Sequence, residues 1–261
     1  MTAATNSTPI LEARGLTRSF GAVRALDSAD FDVHRGEVVA LIGDNGAGKS
    51  TMVKALSGNL ALDSGTILFE GREVEVGSPS AASQMGIETV FQDLALAPHL
   101  NPPQNVFLGR ELPATGILGK FGFMDNKTMR IRSKEAFDEL GATVRSYSDP
   151  VGSMSGGQRQ AIAIARAVAW AKGVIFLDEP TAALGVVQTK NVLETIRRVR
   201  DKNIAVVFIS HSMPAVLQVS DRVQVLRLGR RIATYKAKDT SVEELVGAMT
   251  GALDSKIGAI R

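Results

Sequence analysis

The sequence predicts an α/β fold: a mainly parallel sheet, a small antiparallel β subdomain near the N-terminus, and an α-helical subdomain inserted at about residues 94–170. Three observations predict it. Residues 38–42, 174–177 and 204–209 are unbroken apolar runs, the pattern of strands buried on both faces of a parallel sheet. The first run leads into a glycine-rich loop and then a helix-forming stretch, a strand–loop–helix order. Between residues 94 and 170 the strand pattern gives way to prolines and glycines and then to helical spacing.

Composition sets the bounds. At 261 residues and 44% hydrophobic content the chain can bury a sizeable core in one large domain. That domain is expected over residues 10–251, with residues 1–9 and 252–261 as flexible tails. The net charge is +3 and no dense basic block interleaves with aromatics, so the excess of lysine and arginine reads as a solvated surface and not as a nucleic-acid footprint. There is no cysteine, which excludes disulfides and thiolate metal sites. The first residues lack the charged-then-apolar layout of a signal peptide. No apolar run reaches the ~20 residues that span a bilayer.

Taken in order, residues 10–14 and 29–33 read as strands. In the second, Ala29, Phe31 and Val33 share one face, and Asp30 and Asp32 the other. Phe20 follows Arg18-Ser19; its ring either stacks on a nucleobase or fills the core. Gly43-Asp44-Asn45-Gly46-Ala47-Gly48-Lys49-Ser50-Thr51 reads G-x-x-x-x-G-K-S, the phosphate-binding loop. A triphosphate carries several negative charges, so its site needs many donors close together. Gly43, Gly46 and Gly48 let the backbone come near with torsions other residues avoid. Successive N–H groups form an anion nest, and the following helix adds its positive end. Lys49 is placed to reach the β- and γ-phosphates, and the Ser50 hydroxyl to hold Mg²⁺. A chance glycine turn would have to explain the buried strand before it and the helix after it.

Residues 65–71 form another strand closed by glycine, and residues 86–92 a strand ending in Gln92, whose amide can meet a metal, a water or backbone. A short helix is expected near residues 104–108 and a longer one over residues 126–140. Ser155-Gly156-Gly157-Gln158 opens a largely apolar helix; it is an ordinary cap or a second anion-binding turn. Residues 174–179 form an apolar strand ending in Asp178 and Glu179. Behind a phosphate-binding loop this is the expected acidic strand, with Asp178 on Mg²⁺ and Glu179 placed to act on the attacking water as general base. Residues 204–211 form a strand ending in His211, and residues 222–228 a later one. Ser241 and Glu244 make a capping box for a further helix.

The order and spacing of these pieces resemble the ATP-binding subunit of ABC transporters, over about residues 10–251. The pieces are aromatic Phe20, the loop from Gly43 to Thr51, Gln92, the Ser155–Gln158 signature, the acidic strand and His211. Asn105-Val106-Phe107-Leu108-Gly109-Arg110-Glu111 and Gly122-Phe123-Met124-Asp125 narrow the resemblance to the monosaccharide-import branch. The resemblance implies a P-loop NTPase core that binds ATP and Mg²⁺ and hydrolyses ATP. It implies two cassettes closing head to tail, so that Ser155, Gly156, Gly157 and Gln158 serve the ATP held by the partner's loop. Gln92 would touch Mg²⁺ and link the site to transmembrane permease subunits, and His211 would bond the γ-phosphate. With one cassette per chain, a homodimer is implied. It would sit peripherally on the cytoplasmic face of the inner membrane, with a periplasmic sugar-binding protein as an indirect partner and fructose or a related sugar as cargo.

Two departures stand out. Met154 replaces the usual leucine before the signature, a mild apolar swap. Gly185 stands where the family usually has an aspartate that helps couple the two sites, which puts that coupling in doubt but leaves ATP binding intact. The competing readings are a cytosolic ABC ATPase of repair, translation or cofactor assembly, a nucleotide switch that does not hydrolyse, and an exporter. The long coiled-coil insertion and second cassette of the first group are absent from the sequence.

Overall fold

Alternation of apolar and polar residues sets up the first hairpin. β1 (Leu11–Phe20) pairs antiparallel with β2 (Val23–Val33) through a turn at Gly21. β1 runs past the expected residues 10–14 because register shifts between Ala13 and Leu16 and again near Arg18 let it bend and keep pairing. In β2, Ala29, Phe31 and Val33 are buried, Asp30 is exposed and Asp32 half-buried, as the alternation requires. The molecule is a computed structural model describing residues 8–182 and 184–252; the expectations for residues 1–7 and 253–261 lie outside the described residues.

The chain continues through β3 (Val38–Ile42), α1 (Lys49–Leu56), β4 (Ser64–Phe69), β5 (Arg72–Val74), α2 (Pro79–Met85) and β6 (Ile87–Val90). Between β6 and the next strand come α3 (Pro102–Val106), α4 (Ile117–Lys120), α5 (Asn126–Leu140) and α6 (Gly156–Trp170). Then follow β7 (Val174–Asp178), α7 (Val186–Asp201), β8 (Ala205–Ile209), α8 (Met213–Val219), β9 (Arg222–Arg227), β10 (Arg230–Lys236) and α9 (Val242–Thr250). The described residues form an antiparallel sheet in the order β2-β1-β4-β5 and a larger sheet in the order β10-β9-β3-β8-β7-β6. From β9 to β6 the larger sheet is parallel; β10 is its antiparallel edge.

Each strand of the parallel sheet faces two cores, which is why its sequence is apolar throughout. Val38, Ala40 and Ile42 of β3 join Ile175 and Leu177 of β7 and Val206 and Phe208 of β8 on the side of α5 to α9. Val39, Leu41, Phe176 and Val207 face the small sheet and α1. The two sheets are tied by a polar knot that the sequence reading does not anticipate. Arg222 Nε donates to Glu37 Oε1 at 2.5 Å and its Nη2 to Asp32 Oδ2 at 2.8 Å, Arg231 also pairs with Asp32, and fully buried Gln224 donates to the Asp32 carbonyl at 2.6 Å. Burial pushes the Asp32 carboxyl up, but Arg222 and Arg231 outweigh it and hold it below its ordinary value. The same pairs raise Arg222 against its own burial.

Candidate functional site

In a parallel sheet the carboxyl ends of the strands share one edge, so residues that follow the strands are brought together there. Here β3 leads into the Gly43–Thr51 loop, β7 ends on Asp178 with Glu179 just past it, β8 leads to Ser210 and His211, and β6 leads to Gln92. Several strands end short of expectation, two of them at the site. β6 ends at Val90 and β8 at Ile209, so Gln92 and His211 lie two residues beyond their strands. After β8 the Ser212 N–H bonds back to Ser210 Oγ at 3.1 Å and α8 begins at once, which turns the chain out of the ladder.

The loop is shaped by its glycines. Gly46 and Gly48 have φ of +80° and +104°, where side chains are strained. A Cβ on Gly48 would also stand 2.5 Å from the Ala25 carbonyl, so β2 lies directly against the loop. The turn between β9 and β10 braces it: the Gly229 N–H donates to the Ala47 carbonyl at 3.0 Å. α1 starts with no side-chain cap and no acidic residue in its first turn, leaving its N–H groups and positive end free for an anion. Asp44, Asn45, Gly46 and Ser50 are exposed, Ala47 is buried and Thr51 half-buried. Lys49 is only 7% exposed. Its Nζ folds back to donate to the carbonyls of Gly43 at 2.6 Å and Asp44 at 3.0 Å.

Electrostatics shows that loop and acidic strand form one cluster. Burial lowers the Lys49 pKa, and Glu179, Asp44 and Asp178 pull it back up. Burial raises Asp178, opposed by Lys49, Lys54 and His211. Burial also raises Glu179, His211 opposes it, and Asp178 adds to the rise. The Glu179 Oε1 is buried with no hydrogen-bond partner, and the His211 Nε2 lies 3.5 Å from it. Glu179 also has φ +50°, a left-handed torsion rare for a side chain of this kind, with its N–H held by the Ile209 carbonyl at 3.0 Å. Nothing in the sequence signals that torsion. The Ser50 hydroxyl, the Asp178 carboxylate and the Gln92 amide carry hard oxygens, the donor type that Mg²⁺ takes. Among the described residues no group of three or more His, Cys, Asp or Glu side chains could hold a metal.

Phe20 is 48% exposed at the tip of the β1–β2 hairpin, with the Arg18 guanidinium 5.1 Å from its ring centre. It is not a core residue, which leaves its face available for stacking. Ser155 caps α6 by accepting from the Gln158 N–H at 3.3 Å, while the Gln158 side chain accepts from the Ser155 N–H at 3.2 Å. Gly157 lies against Gln188 and Gly156 against Leu184, so the signature packs on the start of α7. Gly185 is the N-cap of α7 and offers no side-chain cap.

The stretch after Gln92 is bound to the turn before the signature and to the body of α6. Val151 and Gly152 N–H groups donate to the carbonyls of Leu100 at 2.9 Å and Pro98 at 2.8 Å. Arg166 of α6 donates to the Ala95 and Leu94 carbonyls, and buried Asn105 bonds both ways to Ala97. A cleft of about 320 Å³ opens between Gln92, Leu94, Pro98, Gly152 and Arg159. Asn105, Arg166 and Arg222 are the positioning residues that sequence reasoning misses. The capping box Asn101–Gln104 is a local signal that leads to the first of them.

Residues 26–182 match the ABC transporter family. The chain belongs to that family. It is 48% identical over 254 residues to the fructose import ATP-binding protein FrcA of Rhizobium meliloti, covering 97% of this chain and 98% of that one. It is 44% identical over 241 residues to the xylose/arabinose import ATP-binding protein XylG of Sulfolobus acidocaldarius, covering 92% and 94%. Among solved structures it resembles an ATP-binding cassette of an ABC transporter in its ADP conformation, with a TM-score of 0.77 and 25% identity over 94% of this chain and 96% of that one.

Proposed function

We propose that this chain is the ATP-hydrolysing subunit of an ABC importer that takes up a monosaccharide, fructose or a related sugar, through separate membrane-spanning permease subunits. The observation that carries the reading is the meeting of Lys49, Asp178, Glu179 and His211 at one sheet edge beside a free, glycine-lined helix start. The names of the FrcA and XylG relatives support the cargo class.

In this reading Phe20 stacks on the base, and the N–H groups of residues 43–51 hold the phosphates. Lys49 exchanges the Gly43 and Asp44 carbonyls for β- and γ-phosphate oxygens. Ser50, Asp178 and Gln92 hold Mg²⁺, which when bound neutralises charge on those oxygens. Glu179 takes the proton of the attacking water; its buried, unpartnered Oε1 is a ready acceptor and its raised pKa strengthens it as a base. His211 bonds the γ-phosphate. Ser155 to Gln158 complete the site of a second copy in a head-to-tail homodimer. The cleft beside Gln92 faces the permease, and the cassette sits on the cytoplasmic face of the membrane. A periplasmic sugar-binding protein delivers the cargo.

Glu179→Gln keeps the shape of the side chain but removes the base. It is expected to bind ATP, hydrolyse it at least ~100-fold more slowly, and elute as an ATP-dependent dimer on a sizing column. Rapid turnover by this variant, or a monomer at saturating ATP, would contradict the reading.

A further inference from the structure

The hairpin around α4 exposes an apolar knob that no part of the nucleotide site uses. Ile117 is 70% exposed, Phe121 75% and Phe123 59%, with Leu118 and Met124 also open. These five fall within eight residues. Elsewhere in the fold large apolar side chains are mostly buried, so a cluster of this density marks a contact surface. The knob is preformed. The Ala114 N–H donates to the Phe123 carbonyl at 2.8 Å, the Asp125 N–H to the Leu112 carbonyl at 2.7 Å, and Pro113 bridges Met124. Gly119 packs its α-carbon so tightly on the Ala114 carbonyl that a side chain has no room. Ordering the knob therefore costs little on binding.

Charge identifies the partner. Residues 117–134 contain Lys120, Lys127, Arg130, Arg132 and Lys134 against the single carboxylate of Asp125, a net charge of +4 where the entire chain carries +3. All five cations are exposed, and among the described residues none forms an ion pair. Asp125 is occupied in capping α5, accepting from the Thr128 N–H and hydroxyl. On α5, Lys127, Ile131 and Lys134 recur at i, i+4 and i+7 on the outward side, while Met129, Ser133 and Phe137 face the core. Aromatic and aliphatic wedges with a basic collar are the composition of a surface that seats in an anionic lipid interface. We propose that the α4 knob inserts among the headgroups of an anionic bilayer, with the cations of residues 120–134 on the lipid phosphates. This gives the cassette a direct membrane contact besides any permease.

The test is cosedimentation of the purified chain with protein-free vesicles of phosphatidylcholine, with and without phosphatidylglycerol, at low and high salt. The chain is expected to sediment with the phosphatidylglycerol vesicles and to be released by salt. F121S/F123S should weaken partition at least ~tenfold. Lys127→Glu with Arg130→Glu should remove the preference for anionic lipid, about fivefold per charge. ATP hydrolysis in solution should be unchanged in both double variants, which separates loss of lipid binding from loss of the fold or of the proposed ATPase. No binding to either vesicle, equal binding to vesicles with and without phosphatidylglycerol, or equal binding by F121S/F123S would overturn the proposal.

Discussion

Glu179 concentrates most of what is unusual at the scale of single residues. Its backbone is held left-handed, at a cost of roughly 1–2 kcal/mol. Its carboxyl is raised by burial and by Asp178, and one oxygen has no hydrogen-bond partner. Because burial raises its pKa, ionising this carboxylate costs more in the folded chain than in the unfolded one, and the folded state bears that cost above the unfolded pKa. Below about pH 4 it is protonated in both and that cost vanishes. Glu179→Gln is therefore expected to stabilise the fold by roughly 1 kcal/mol at neutral pH, with the gain disappearing in acid. Denaturant midpoints at the two pH values check this; a variant less stable than the parent at neutral pH would count against a strained, desolvated base. The identity of Glu179 as a candidate is legible in the sequence, because it terminates an apolar strand behind a phosphate-binding loop. Its torsion and its raised pKa are not legible, since the N–H is held by Ile209 on a neighbouring strand and the pKa is raised by burial that only the assembled sheet supplies, with Asp178 adding to it.

Among the elements, α7 shows what local signals can and cannot deliver. It carries a sound core face, with Val192, Leu193, Ile196 and Val199 buried. Yet it starts at Gly185 without a side-chain cap and with Val186 and Val187 exposed, so the usual start signal is missing and the helix is not anticipated. Two capped helices are anticipated, α9 opened by Ser241 with Glu244 and α6 opened by Ser155 with Gln158, whereas α2, capped by Ser78, is not. Gly185→Asp supplies the missing cap and a negative charge at the helix start. It is expected to add about 0.5 kcal/mol of stability once the Gln188 side chain moves aside. If the aspartate also restores coupling between the two sites of a dimer, the Hill coefficient for ATP rises in the same variant. A higher melting temperature with an unchanged Hill coefficient would confine Gly185 to a capping role.

For the whole molecule, the parallel sheet and the small antiparallel sheet are both readable from periodicity, because unbroken apolar runs and alternating runs demand different surroundings. How the two sheets are joined is not readable. Asp32, Glu37, Arg222 and Arg231 are ordinary surface types in the sequence and become a shared knot only when β2 is laid across β9 and β10. Arg222→Met removes the cation and leaves both carboxylates half-buried without it. A loss of about 3 kcal/mol is expected, read as a shift in the urea midpoint. A shift no larger than that of an exposed arginine such as Arg14 would mean the knot is not a structural tie. The loop of residues 43–51 lies against β2 and is braced by Gly229, so ATP affinity should fall with it.

A cassette that hydrolyses ATP on behalf of a membrane permease is expected to travel with that permease. The most direct measurement is to tag this chain in its native host, solubilise the membranes in mild detergent, recover the tag and identify what comes with it by mass spectrometry. A permease of several membrane spans, recovered in a stoichiometric complex whose ATP hydrolysis is lost in Glu179→Gln, is the predicted result. Recovery of soluble partners alone, with the chain absent from the membrane fraction, would contradict it.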